Sequence, residues 1–198
     1  GLAEKADIHL RVRPGTDTAF LLAVAYEMVR LDEERGDIID WGFVNERTVG
    51  FTPETMPADA TTDENFRDYL LGAYDNTPKT PEWATEICGT PVEDITWYAE
   101  MAGKNNAVMF LHSYAASRYL GAENLSQAFM TVSALGGHFG KSGHGSAASA
   151  LSSAAFVPSE SAPLSRMGAS TSASCRLLRS SYSSCSYTAI CSTGTSTR

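Results

Sequence analysis

No CxxC pair, no cluster of basic residues and no apolar run near the ~20 residues of a membrane span occurs in this 198-residue chain. The four cysteines, Cys88, Cys175, Cys185 and Cys191, are scattered, and His9, His112, His138 and His144 all precede the last three of them. Neither a zinc nor an iron–sulfur site is indicated in this segment, and Cys88 reads as a buried core thiol. Fifteen basic side chains stand against 23 acidic ones, a formal net charge of −8. Neutralising phosphates needs a basic surface, so a nucleic-acid partner is not expected. No charged-then-apolar signal segment opens the sequence as given. It starts at Gly1 and enters almost at once into predicted structure, which suggests an internal piece of a longer protein.

What is present is ordinary core-forming material, 43% hydrophobic, enough for one good core. The stretch that organises it is Arg11-Val12-Arg13-Pro14-Gly15-Thr16-Asp17. Before it, Ile8-His9-Leu10-Arg11-Val12 alternates apolar and polar residues and predicts a short half-buried strand ending at Pro14. After it, Ala, Leu, Val and Met recur at helical spacing to about Arg30, with Thr16 or Asp17 as N-cap. A strand, a glycine turn and a helix N-terminus direct N–H groups and partial positive charge at one spot, which suits a nucleotide. An ordinary β-turn-α connection with a capping Asp has the same sequence.

Farther along, Leu31 to Asp37 reads as a charged, solvated turn, with Asp32-Glu33-Glu34 lacking the alternating oxygen ligands of a calcium loop. The spacing predicts an amphipathic helix over 38–48, an exposed connection over 52–62, and a helix over 65–72. Thr80-Pro81-Glu82-Trp83 combines a cap residue, Pro at the first helical position and an acid in the first turn, so a helix runs to Cys88-Gly89. Thr90-Pro91-Val92-Glu93 predicts a capping box opening a helix over 91–102. Ala107 to Leu111 is a continuous apolar run expected as a buried parallel strand. The loop from His112 to Gly121 then falls at its C-terminal edge, where open α/β sheets bind ligands. Glu123 to Leu135 predicts a helix with Leu125, Phe129, Val132 and Leu135 on one face. It leads into Gly136-Gly137-His138-Phe139-Gly140-Lys141-Ser142-Gly143-His144-Gly145, a glycine-dense loop able to approach a phosphate. His112, His138 and His144 all fall on expected ligand-side loops. Without acidic partners at ligand spacing they read as exposed or backbone-bonded, and Trp41, Trp83 and Trp97 as packing residues.

From Ser146 onward the composition changes: 17 of the last 53 residues are serine, and apolar periodicity disappears. The expected organisation is a domain over 1–145 and a serine-rich tail over 146–198 that is disordered or not the native continuation. Translating the other frames of the encoding DNA tests the second alternative.

Three motifs, in one order, carry a family resemblance. Asp7 to Ala19, with its Arg13-Pro14-Gly15-Thr16-Asp17 core, resembles the "RPGTD" segment of molybdopterin oxidoreductases of the dimethyl sulfoxide reductase family. Thr80-Pro81-Glu82-Trp83-Ala84 with Ile87-Cys88-Gly89-Thr90-Pro91 is similar to their "TPEWA-ITGVP" helix pair, and Leu135 to Gly143 to their "LTGN-GK-GG" loop. His138 stands where that loop usually has Asn, Gly136-Gly137 replaces Thr-Gly, and Ser113 and Ala115 replace glycines. The resemblance implies part of a Rossmann-like three-layer α/β domain with a largely parallel sheet. It implies a molybdenum held as bis(molybdopterin guanine dinucleotide), with an iron–sulfur cluster in the parent protein but outside this segment. It places Pro14, Gly15, Thr16 and Asp17 at a guanine nucleotide, and Ser113, Tyr114 and Arg118 on a pterin-contacting loop. The implied partners are the remaining domains of the parent catalytic subunit, an iron–sulfur electron-transfer subunit and a membrane-anchor subunit, with the parent exported or held at the cytoplasmic membrane through a partner. The molybdenum ligand lies upstream in such enzymes, so no catalytic or metal-ligating residue is assigned in this chain. The resemblance implies a parent that reduces an S-oxide or N-oxide by two-electron oxygen-atom transfer; the alternatives are a small non-redox module binding a nucleotide or a protein partner, or another member of the same family such as a formate, nitrate or polysulfide enzyme.

Overall fold

A computed structural model describes residues 5–112, 121, 123–148 and 189–190. Its centre is helix α1, Asp17–Arg35, in which Phe20, Leu21, Val24, Met28 and Leu31 are buried at helical spacing and Ala23, Ala25 and Val29 are buried beside them. A helix apolar around most of its circumference is one against which others pack on several sides. Gly36, with φ 69°, ends it in a left-handed turn, its N–H donating to the Asp32 carbonyl at 2.7 Å. The helix thus runs a turn beyond the Arg30 expected from periodicity and takes in Leu31 to Arg35.

Helix α2, Trp41–Arg47, is shorter than predicted, and Asp40 caps it by accepting from Phe43 N–H. Strand β1, Thr48–Val49, pairs antiparallel with β4, Ala189–Ile190. A 3-10 turn over Pro53–Thr55 and helix α3, Phe66–Leu70, follow, the latter capped by the buried Asn65. Helix α4, Pro81–Cys88, begins with the expected device: Thr80 accepts from Trp83 N–H, and Gly89 closes the helix at φ 75°. Cys88 is buried as a free thiol. Helix α5, Val92–Met101, buries Ile95 and Ala99.

Strand β2, Met109–His112, pairs in parallel with β3, Gly145–Ala148, in the register Met109 with Gly145 through His112 with Ala148. Helix α6, Glu123–Leu135, links them as the crossover of a β-α-β unit. The fold is therefore mixed α/β with a small parallel sheet. The parallel ladder carries the chain three residues past the compositional break at Ser146. β2 is not buried on both faces as predicted: Phe110 is buried, whereas Met109 and Leu111 are exposed, Leu111 by 65%. In β2 the face carrying Phe110 and His112 meets α6.

The strand expected over Ile8 to Val12 does not form. These residues are extended but belong to no ladder among the described residues, and Ile8 is exposed. Alternation supplies a strand's faces but not the neighbouring edge that receives its hydrogen bonds. Leu10 and Val12 still pack on the core.

Helices α1, α5 and α6 run in the same direction. At one end Thr90, just before α5, bonds Arg11, just before α1; at the other Arg35 pairs with Glu100, Lys104 N–H donates to the Ile38 carbonyl, and Asp40 N–H donates to the Leu135 carbonyl at 2.8 Å. Because α6 runs opposite to the strands it connects, the N-termini of all three helices lie toward the C-terminal edge of β2 and β3.

Candidate functional site

At the head of α1, Pro14 and Gly15 form an exposed turn with Gly15 at φ 83°, a conformation glycine adopts without steric cost. Thr16 N–H donates to the Arg13 carbonyl at 3.1 Å, and the Thr16 hydroxyl donates to the same oxygen at 2.6 Å. Thr16 occupies the N-cap position, one of the two expected, but its hydroxyl makes no capping hydrogen bond to the first turn. Asp17 is the first helical residue rather than the cap, a half-exposed acid in the first turn. The first-turn N–H groups have no intrahelical acceptor, and the helix dipole adds partial positive charge there. Pro14 to Asp17 thus present backbone donors, one carboxylate and no bulky side chain.

This turn is held from behind by the corner between α4 and α5. Arg13 N–H donates to the Cys88 carbonyl at 2.9 Å, and its guanidinium donates to the Ile87 carbonyl at 2.7 Å. Thr90 is fully buried, and its hydroxyl donates to the Arg11 carbonyl at 2.8 Å. The predicted Thr90–Glu93 capping box is absent, because Pro91 occupies the N-cap position and the threonine hydroxyl is turned to the Arg11 carbonyl. Two of the three matched motifs therefore meet at this corner. Ser113, Tyr114 and Arg118 lie outside the described residues, and the strand leading to them ends at His112. The His112 ring stacks on Phe129 with centroids 5.0 Å apart, and burial lowers its pKa.

The third motif is elsewhere. The glycine loop joins the C-terminus of α6 to the start of β3, so it lies at the N-terminal edge of the parallel pair, opposite the expected ligand side. A helix C-terminus presents carbonyls, which repel a phosphate. The glycines there serve close packing: a Cβ on Gly136 would fall 2.3 Å from the Ala102 carbonyl, and one on Gly137 2.3 Å from Asp40 Oδ2. His138 is fully buried, with Nε2 2.8 Å from the Ala102 carbonyl and Nδ1 3.0 Å from His144 Nδ1. Asp40 caps α2 and accepts from Lys141 at 3.2 Å. Burial pushes the Asp40 carboxyl up, but the Phe43 N–H and Lys141 outweigh it and hold it below the usual range. This cluster is a structural joint.

Sequence reasoning also missed Asp32. Instead of lining a solvated turn it is 8% exposed within α1, its Oδ1 accepting from Ile38 and Ile39 N–H at 2.9 Å each and its Oδ2 from the Trp41 indole at 2.7 Å. The acceptor pattern gives no signal in sequence, because it depends on the chain reversing after Gly36. Among the described residues no group of three His, Cys, Asp or Glu could hold a metal ion, and no helix is long and apolar enough to cross a membrane.

The described residues are a mixed α/β segment with a small parallel sheet and a glycine turn leading into the N-terminus of α1. No family model matches the chain. It is 32% identical over 157 residues to dimethyl sulfoxide reductase DmsA of Haemophilus influenzae, covering 79% of this chain and 19% of that protein. It is 30% identical over 147 residues to DmsA of Escherichia coli, 74% of this chain and 17% of that one. With the dimethyl sulfoxide/trimethylamine N-oxide reductase of Rhodobacter capsulatus it shares 30% identity over 155 residues, 78% and 17% of the two chains. The chain belongs to the dimethyl sulfoxide reductase family of molybdopterin oxidoreductases, and it spans about a fifth of the length of these relatives.

Proposed function

We propose that this chain is a cofactor-binding segment of a molybdenum-dependent oxidoreductase, and that its parent reduces an S-oxide or N-oxide by two-electron oxygen-atom transfer. The observation that carries this is the similarity of about three-quarters of the chain to dimethyl sulfoxide and trimethylamine N-oxide reductases. In this reading the described residues form part of a Rossmann-like three-layer domain over 1–145, and the group bound is bis(molybdopterin guanine dinucleotide). The chemistry of the α1 turn fits such a group. Asp17 offers two carboxylate oxygens to the N1–H and amino group of guanine, a charge-assisted pair. Pro14, Gly15 and Thr16 offer close backbone approach, and first-turn N–H groups tolerate a nearby phosphate. Ser113, Tyr114 and Arg118 would supply the pterin contacts.

When bound, the molybdenum supplies the oxygen-atom and electron exchange. The contribution of this chain is to hold and orient the group, with no acid–base residue assigned. An iron–sulfur cluster in the parent, the remaining domains of its catalytic subunit, an electron-transfer subunit and a membrane-anchor subunit complete the proposed assembly. The exposed Met109 and Leu111 face of the β2–β3 pair is consistent with further protein packing there.

Metal and pterin analysis of the complete parent, expressed anaerobically with molybdate, tests the reading. Molybdenum together with a guanine-bearing pterin is the expected result. A folded parent holding neither would favour a non-redox nucleotide- or partner-binding module.

A further inference from the structure

Thr90 sits where a helix-capping threonine is expected, yet it spends its hydroxyl on a segment 79 residues away in sequence. Fully buried, it donates to the Arg11 carbonyl at 2.8 Å, while Arg13 gives its backbone N–H to Cys88 and its guanidinium to Ile87. The carbonyls of Ile87 and Cys88 belong to the last turn of α4, where oxygens lack intrahelical partners. Three bonds therefore converge on Arg11 and Arg13 from one corner, and the exposed Pro14 and Gly15 and the half-buried Thr16 and Asp17 that follow make no bond to it. Gly89, at φ 75°, allows the chain to turn there so that both carbonyls and the Thr90 hydroxyl face the same strand of chain.

We propose that Thr90 is a positioning residue, which with the Ile87 and Cys88 carbonyls clamps Arg11 to Arg13 and so presets the Pro14–Asp17 turn for a guanine nucleotide. The inference rests on the guanine reading of that turn. A buried threonine that merely packed would be replaced by valine without local consequence, because the two have the same shape. A clamp requires the O–H.

The test uses the full 198-residue chain as wild type, Thr90→Val, Thr90→Ser and Arg13→Ala, with amide hydrogen exchange at Thr16 and Arg13 and calorimetric titration with GDP. In Thr90→Val, exchange at both amides should rise roughly fivefold or more while the amides in the middle of α1 keep their wild-type rates, and GDP affinity should fall by a similar factor. Thr90→Ser, which keeps the donor, should stay within about twofold of wild type on both readouts. Arg13→Ala, at an exposed position, should raise exchange at Thr16 even if the valine variant does not fold. Wild-type exchange at these amides in Thr90→Val and Arg13→Ala, or a uniform rise throughout α1, would overturn the clamp. Wild-type and Thr90→Val chains that bind GDP equally would overturn the positioning role alone. A wild-type chain that takes up no GDP would remove the nucleotide reading and the purpose assigned to the clamp.

Discussion

The imidazoles of His138 and His144 meet Nδ1 to Nδ1 at 3.0 Å, beneath the end of α6. His138 Nε2 lies 2.8 Å from the Ala102 carbonyl, which can only accept, so that nitrogen carries a proton. Neutral His138 then has a lone pair at Nδ1, and His144 supplies the N–H between the rings. A second proton on His138 would set two donors against each other unless His144 gave up its own.

Stability should therefore depend on pH below neutrality. Burial lowers the His138 pKa most, the Ala102 carbonyl opposes it, His144 and Lys141 lower it further, and Asp40 opposes them; the net position is below the ordinary 6.5. With the folded pKa depressed, the unfolded chain binds more protons at mildly acid pH. The contribution is complete above 6.5 and is lost as pH falls toward the folded value. Urea unfolding should show lower stability at acid pH than at neutrality, and His138→Asn should reduce that slope, leaving the share due to the similarly lowered His112. An unchanged slope in the variant would contradict this account.

Asp32→Asn should destabilise the chain by about 2–3 kcal/mol, because a buried acceptor of three hydrogen bonds gains a donor facing either the Trp41 indole or two backbone N–H groups. Burial raises the Asp32 carboxyl, but the N–H groups of Ile39 and Ile38 and the indole together hold it below its ordinary 3.8. Its stabilising contribution is thus present above 3.8 and lost as pH falls through the lower folded value. Chemical denaturation at neutral pH is the measurement, and a change under about 0.5 kcal/mol would reject the clasp.

Gly137→Ala and Gly140→Ala separate backbone strain from crowding. Both glycines have positive φ, 65° and 73°, but only Gly137 has Asp40 where the methyl would go, whereas Gly140 has open space. Gly140→Ala should cost about 1 kcal/mol, and Gly137→Ala at least about 2 kcal/mol more. Equal losses in thermal or urea unfolding would show that Asp40 yields freely.

Asp17→Ala should weaken GDP binding by roughly ten- to a hundredfold, equivalent to about 1.5–3 kcal/mol. Stability should change by under about 1 kcal/mol, since a half-exposed first-turn acid interacts mainly with the helix dipole. In the complete parent the same substitution should lower molybdenum content. Unchanged molybdenum content and unchanged GDP affinity would exclude Asp17 from the site.

Helices α1, α4 and α6 were legible from the chain because their signals act within a few residues: the Ala, Leu and Val periodicity, the Thr80-Pro81 start, the glycine stops. So was the short strand before residue 113, from its apolar run, and so were the motifs that tie the chain to its family. Tertiary structure decided what those signals could not reach. The alternating Ile8 to Val12 found no edge to pair with, Thr90 met Arg11 instead of capping α5, and Asp32 was buried by a chain reversal beyond its own helix. The glycine loop fell at the opposite edge from the ligand side because α6 is a crossover between parallel strands. Each of these depends on partners far away in sequence, and local periodicity carries no record of them.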